Sequence, residues 1–152
     1  MGTALFYHLT RRPMEDTLAM LLGKATQAGM RVIVRGADLG RLGWLDEKLW
    51  QGAEDGFLPH GLAGGAQDAM QPVLLTVARD NPNGATCLMT IDGAPVTAED
   101  VAAMDRVCVL FDGNDAQALE TARAQWKTLK DAGSTAQYWS EEAGHWEKKA
   151  ET

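Results

Sequence analysis

RVCVLFDGNDAQALETARAQWKTLKDAG, Arg106 to Gly133, is the stretch that decides the fold. After Arg106 it opens with a continuous apolar run of the kind found in strands covered on both faces. From about Asp115 to Ala132 the period changes: Leu119, Ala122, Trp126 and Leu129 recur at helical spacing, and Gly133 supplies a stop. A doubly buried strand followed at once by a long amphipathic helix belongs in an α/β sheet, because the helix needs a sheet face on which to bury its apolar stripe.

Working outward, the same alternation recurs. ALFYHL (4–9) reads as an opening strand, and residues 14–28 place Met14, Leu18, Leu21, Leu22 and Ala25 near helical spacing before Gly29. RVIVRG (31–36) is a short β-branched strand, and Asp38 is a candidate N-cap for a helix running to about Trp50. FLPH (57–60) reads as a brief extended piece. PVLLTVA (72–78) and TCLMTI (86–91) are strands separated by the Asn-Pro and Asn-Gly turn signals of RDNPNGA. Thr97 with Asp100 makes a capping box for a short helix to Met104, and TAQYWS (135–140) reads as the last strand. The expectation is a three-layer α/β sandwich: a mostly parallel central sheet flanked by helices, Rossmann-like in topology but without a nucleotide-binding loop. Residues 1–140 form one domain in this reading, and 141–152, rich in Glu and Lys, form a loosely held polar tail.

Composition narrows the function classes. The chain has 152 residues and a formal net charge of -7, which argues against a duplex-binding surface, because non-specific affinity for nucleic acid comes mainly from phosphate neutralisation. Any contact with nucleic acid is expected to be indirect, through a protein. Cys87 and Cys108 stand singly inside apolar runs, without CxxC spacing or a nearby His cluster, so buried free thiols are expected and no metal site. There is no run of about eighteen apolar residues, and the basic pair Arg11-Arg12 follows the first apolar stretch, the reverse of a secretory signal. A cytoplasmic protein with no membrane contact is expected.

Catalytic signatures are thin. Gly23-Lys24 is followed by Ala25 and has Leu18 where a phosphate-binding loop needs its first glycine, and GADLGRLG (36–43) departs from G-x-G-x-x-G. The two serines, Ser134 and Ser140, lie outside G-x-S-x-G, and His8, His60 and His145 have no metalloprotease context. His8 is read as facing out of its strand, and His60 as a loop histidine bonded to backbone. No catalytic residue and no cofactor are therefore assigned. The alternative is a nucleotide- or phosphometabolite-binding α/β enzyme that uses the glycine loops 36–43 and 61–65 as its cradle. A generic scaffold for some other protein partner is a third possibility.

On the long helix, Arg123, Lys127 and Lys130 cluster beside the apolar stripe, and Trp126 lies on the border. A Trp with Arg at i-3 and Lys at i+1 suits a peptide carrying an aromatic tip and carboxylates, since the ring supplies buried area and Arg can grip a carboxylate bidentately. The same spacing also describes an ordinary solvated helix face. LDEKLWQGAEDGFLPHGLAGG, Leu45 to Gly65, combines a helix end, a polar turn and an apolar edge, better suited to docking than to chemistry.

That segment carries a resemblance. LDE-x-LW followed by F-[LV]-PH-x-LAG is similar to the chi subunit family of bacterial DNA polymerase III, and the likeness extends from ALFYHL to YWSEEAGHWEKKA. The resemblance implies a non-catalytic clamp-loader accessory subunit that bridges the psi subunit to the acidic, Phe-ending C-terminal tail of single-stranded-DNA-binding protein. It implies a monomer or a 1:1 heterodimer. The family's R-x-x-[aromatic]-K pattern falls on Arg123, Trp126 and Lys127, which become the implied tail contacts. The psi interface falls on Trp50, Phe57, Pro59 and His60. Asp112 and Gly113 stand where the family form has an apolar residue and a proline, and a carboxylate there would oppose an acidic tail.

Overall fold

The computed structural model describes residues 2–51, 59–141 and 144–152. Eight strands form one sheet: β1 (Thr3–Leu9), β2 (Val32–Arg35), β3 (Gly61–Leu62), β4 (Val73–Thr76), β5 (Cys87–Thr90), β6 (Arg106–Asp112), β7 (Thr135–Ser140) and β8 (Glu147–Glu151). Among the described residues four α-helices flank it: α1 (Met14–Gln27), α2 (Leu39–Gln51), α3 (Ala98–Ala103) and α4 (Ala116–Asp131). The strand order is β3-β4-β2-β5-β6-β1-β7-β8, parallel throughout except for the antiparallel β7–β8 pair. This is the expected three-layer α/β architecture.

The apolar run of β6 explains its central place. Its side chains alternate between two cores: Cys108 and Leu110 join α1 and α2 on one face, while Val107, Val109 and Phe111 join α3 and α4 on the other. Burying each such aliphatic side chain contributes about 1.5–3 kcal/mol, so both faces stay covered. Residues at the helix ends act as expected. Asp115 Oδ1 accepts from the N–H of Gln117, Thr97 and Asp100 close a capping box, and Asp38 Oδ2 accepts from Arg41 N–H at 3.2 Å. Gly29 and Gly133, both at φ +81°, end α1 and α4 in the left-handed conformation glycine tolerates. Cys87 and Cys108 are free and buried. Among the described residues no helix is long and apolar enough to cross a membrane.

Two expectations need correction. Residues 147–151, read as part of a loosely held tail, form β8 on the edge of the sheet, where Trp146 meets Tyr7 edge-on with centroids 5.3 Å apart. Pairing with β7 and that aromatic contact impose extension on Glu-Lys-Lys-Ala-Glu, whose own β-propensity is low. His8 does not face outward. It shares the α4 side of β1 with Ala4 and Phe6, is 9% exposed, and lies between Phe111 and Tyr138.

Candidate functional site

The helices leaving the neighbouring strands β1 and β6 diverge, α1 to one face and α4 to the other. In an open α/β sheet that divergence opens a crevice at the carboxyl ends of the strands. Here the loop 112–114 separates two clefts, held down by Gly113 N–H donating to Leu9 O at 2.7 Å and Asn114 Nδ2 donating to Thr10 O at 3.1 Å. The cleft on the α1 side, about 700 Å³, mixes Arg11, Arg12 and Arg41 with Glu15, Asp92, Asp112 and Asp115. Arg41 Nε is paired with Asp92 Oδ2 at 3.0 Å.

The cleft on the α4 side, about 520 Å³ and open to solvent, has a different character. Among the described residues it is lined by His8, Thr10, Arg11, Gly113, Asn114, Leu119 and Arg123, which include two guanidinium groups and no carboxylate, Arg11 being shared with the first cleft. Asp112 turns away from it. Its Oδ1 accepts the Asn114 N–H at 2.9 Å, and its side chain lines the other cleft. The repulsion expected from that carboxylate is therefore not aimed at Arg123.

Arg123, Trp126 and Lys127 lie together on α4 at i, i+3 and i+4. They differ in what they touch. Arg123 is exposed and lines the cleft. Trp126 is half-buried and packs edge-on against Phe6 (5.3 Å, 81°) and Tyr138 (5.9 Å, 88°), so it holds α4 to the sheet; of the three residues, Arg123 alone is among the cleft's described lining residues. Lys127 is 79% exposed and sits 3.6 Å from Asp131, a solvated pair of little energetic weight. Beneath them, His8 Nδ1 shares a 2.7 Å hydrogen bond with the Tyr138 hydroxyl. Sequence reading missed His8, Arg11 and Tyr138; the parity of β1, with His8 two residues beyond the inward Phe6, is the signal that finds His8.

A second group forms near the β3 edge of the sheet and on its opposite face. Trp50, in the last turn of α2, is 49% exposed, and its ring stacks on His60 with centroids 4.2 Å apart. His60 is buried, and its Nε2 donates toward the backbone carbonyl and the Oδ1 of Asp46 at 3.2 and 3.1 Å. Pro59 is exposed, and Leu62 on the edge strand β3 is 41% exposed. Phe57 lies outside the described residues. Trp50 is therefore a surface side chain, while Leu45 and Leu49 of the same helix face the core.

The places where an α/β fold could cradle a phosphate are filled by the chain's own carboxylates. In the β1–α1 loop, Glu141 Oε1 accepts from the N–H groups of Thr10, Arg11 and Arg12 at 3.0, 2.9 and 3.0 Å. Burial opposes ionisation of this carboxyl, but the three donors outweigh it and hold its pKa below the ordinary glutamate range. In the loop 61–65, Gly64 and Gly65 N–H donate to the two carboxylate oxygens of Asp68 at 2.9 and 3.0 Å. Within 36–43, Gly40 and Gly43 lie inside α2 rather than in a loop.

Fold and site define a class first: a doubly wound α/β protein in which Glu141 and Asp68 occupy the backbone donors of two loops and a cleft carrying Arg11 and Arg123 lies beside α4. The model of the family described as DNA polymerase III chi subunit, HolC, matches residues 1–137, and the chain belongs to this family of DNA replication subunits. It is 27% identical over 85 residues to the probable DNA polymerase III subunit chi of Rickettsia prowazekii (strain Madrid E). That alignment covers 56% of this chain and 52% of the relative, so the chain spans about half the length of the curated relative it matches.

Proposed function

We propose that this protein is a non-catalytic adaptor of the replicative polymerase assembly. The α4 cleft takes the acidic, Phe-ending tail of single-stranded-DNA-binding protein, through Arg123, Trp126 and Lys127. The Trp50 face, with Phe57, Pro59 and His60, docks a psi-type clamp-loader subunit. The observation that carries the reading is the position of the exposed Arg123, on the family's R-x-x-[aromatic]-K pattern, at a cleft whose described lining residues include no carboxylate. Such a cleft selects an acidic segment electrostatically.

Placement of the two groups on opposite faces of the sheet, one at β1 and β6 and the other near the β3 edge, supports a bridging role, since one partner need not exclude the other. Binding through tails works by multivalency: each contact is weak, while coated DNA presents many tails and raises the effective concentration of the tethered assembly. The test is co-elution with DNA coated by intact binding protein or by binding protein lacking its last residues. An adaptor of this kind follows the intact form alone and is released as salt rises. Equal association with both forms, or a thermal shift with nucleotides, contradicts the reading.

A further inference from the structure

The cations of α4 continue beyond the cleft. At about 3.6 residues per turn, Lys130 lies about 20° round the helix from Arg123, on the side toward Trp126, whereas Lys127 lies about 40° round on the other side, toward Glu120 and Asp131. Lys127 already meets one of those carboxylates, Asp131, at 3.6 Å. Lys130 is exposed and has no ion pair among the described residues. Its backbone is fixed: Leu129 is fully buried, Gly133 N–H donates to Lys130 O at 3.0 Å and Ser134 N–H to Leu129 O at 2.9 Å, so the last turn of α4 is closed before any ligand arrives. Lys130 stands one turn beyond Trp126, where its aliphatic stem extends the apolar border that Leu119 and Trp126 begin.

We propose that Lys130 is a further carboxylate-binding residue of the tail site, and that the acidic part of the tail lies extended along α4, from Arg123 at the cleft to Lys130 in the last turn. This rests on the tail-binding reading and gives it a direction. At about 1.5 Å of rise per residue, the two cations stand about 10 Å apart along the axis. An extended segment with about three residues per turn presents the same side every ~9 Å, so carboxylates three residues apart reach both. Glu120 and Asp131 stand farther round the helix than Lys127, which leaves the row Leu119, Arg123 and Lys130 without a carboxylate. An ordinary last-turn lysine, by contrast, only complements the negative end of the helix dipole.

The test is calorimetry at low salt with an acidic peptide ending in Phe, titrated into wild type and into Lys130→Glu, Lys130→Gln, Lys130→Arg, Arg123→Glu and Lys24→Glu, with thermal melts to confirm folding. Lys24 is the matched control: it too is an exposed lysine in the last turn of a helix, but on α1, on the other face of the sheet. Lys130→Glu is expected to weaken binding about fivefold or more, Lys130→Gln less, and Lys130→Arg and Lys24→Glu by no more than about twofold. With the peptide's Asp side chains replaced by Asn and its terminal Phe kept, wild type and Lys130→Gln should bind alike. A loss in Lys130→Glu no larger than in Lys24→Glu, beside a clear loss in Arg123→Glu, would overturn the inference and leave the tail site standing. An equal loss in Lys130→Gln for both peptides would also overturn it, because Lys130 would then act through the fold and not on the carboxylates. Full affinity in folded Arg123→Glu would remove the tail site itself.

Discussion

The His8 imidazole occupies the space that a side chain at position 113 would need: a Cβ built on Gly113 falls against the ring's Cδ2 and Nε2 atoms. The ring is in turn held by the Tyr138 hydroxyl and by Phe111. Glycine at 113 is thus a packing requirement, and the departure from proline there has a local cause in His8. Gly113→Ala is expected to destabilise the protein by about 1–3 kcal/mol, the scale of overpacking. In the double variant with His8→Ala the penalty should fall well below the sum of the two single changes, measured by urea unfolding. Additive costs would mean that the two residues do not compete for this space.

Trp126 and Lys127 separate binding from stability. Trp126→Ala removes an aromatic that packs on Phe6 and Tyr138, so both are expected to suffer: about 3 kcal/mol of stability, as for large core aromatics, and about 1–3 kcal/mol of tail affinity. Lys127→Glu changes an exposed side chain and should weaken tail binding by repulsion while moving the midpoint of unfolding little. Parallel denaturation and peptide titration of both variants distinguish the two effects.

Much of this was legible beforehand because local pattern and tertiary context agree. The doubly buried β6, the cap at Asp115 and the stripe Ala122-Trp126-Leu129 are each set by nearby residues, and β6 and α4 lie where the pattern put them. What was not legible depends on partners distant in sequence. β8 is created by pairing with β7, and the filling of the β1–α1 loop by Glu141 joins positions about 130 residues apart. Of the candidate site, Arg123 was found through helical spacing, whereas Arg11 enters only because the sheet order sets β1 beside β6.

Acid stability should report on Asp100 and Glu141. Burial opposes ionisation of Asp100, but Arg35, paired at 2.9 Å and only 2% exposed, together with the Thr97 N–H holds its pKa below the ordinary aspartate range. Glu141 is lowered for the reasons given above. A carboxyl whose folded pKa lies below its unfolded value near ~4 contributes stability above that value, and the contribution is lost as pH falls through it toward the folded pKa. Asp100→Asn leaves Arg35 buried without its counter-charge and is expected to cost about 3–5 kcal/mol at pH 7. Glu141→Gln should flatten the loss of stability below pH ~4, followed by chemical denaturation at stepped pH.

On α2, exposure divides the helix. Trp50→Ala is expected to change stability by less than about 1 kcal/mol, while Leu45→Ala, fully buried, should cost about 2–5 kcal/mol. If the Trp50 face docks a partner, Trp50→Ala also abolishes co-purification with a psi-type subunit while leaving tail-peptide binding intact.

The central claim is that the cleft beside α4 receives an acidic tail, and titration of an acidic peptide ending in Phe into wild type and Arg123→Glu tests it most directly. The account predicts saturable 1:1 binding that weakens with salt, requires the terminal Phe, and falls at least about tenfold in a folded Arg123→Glu. Undiminished binding in that variant, or no binding by the wild type at low salt, would contradict it.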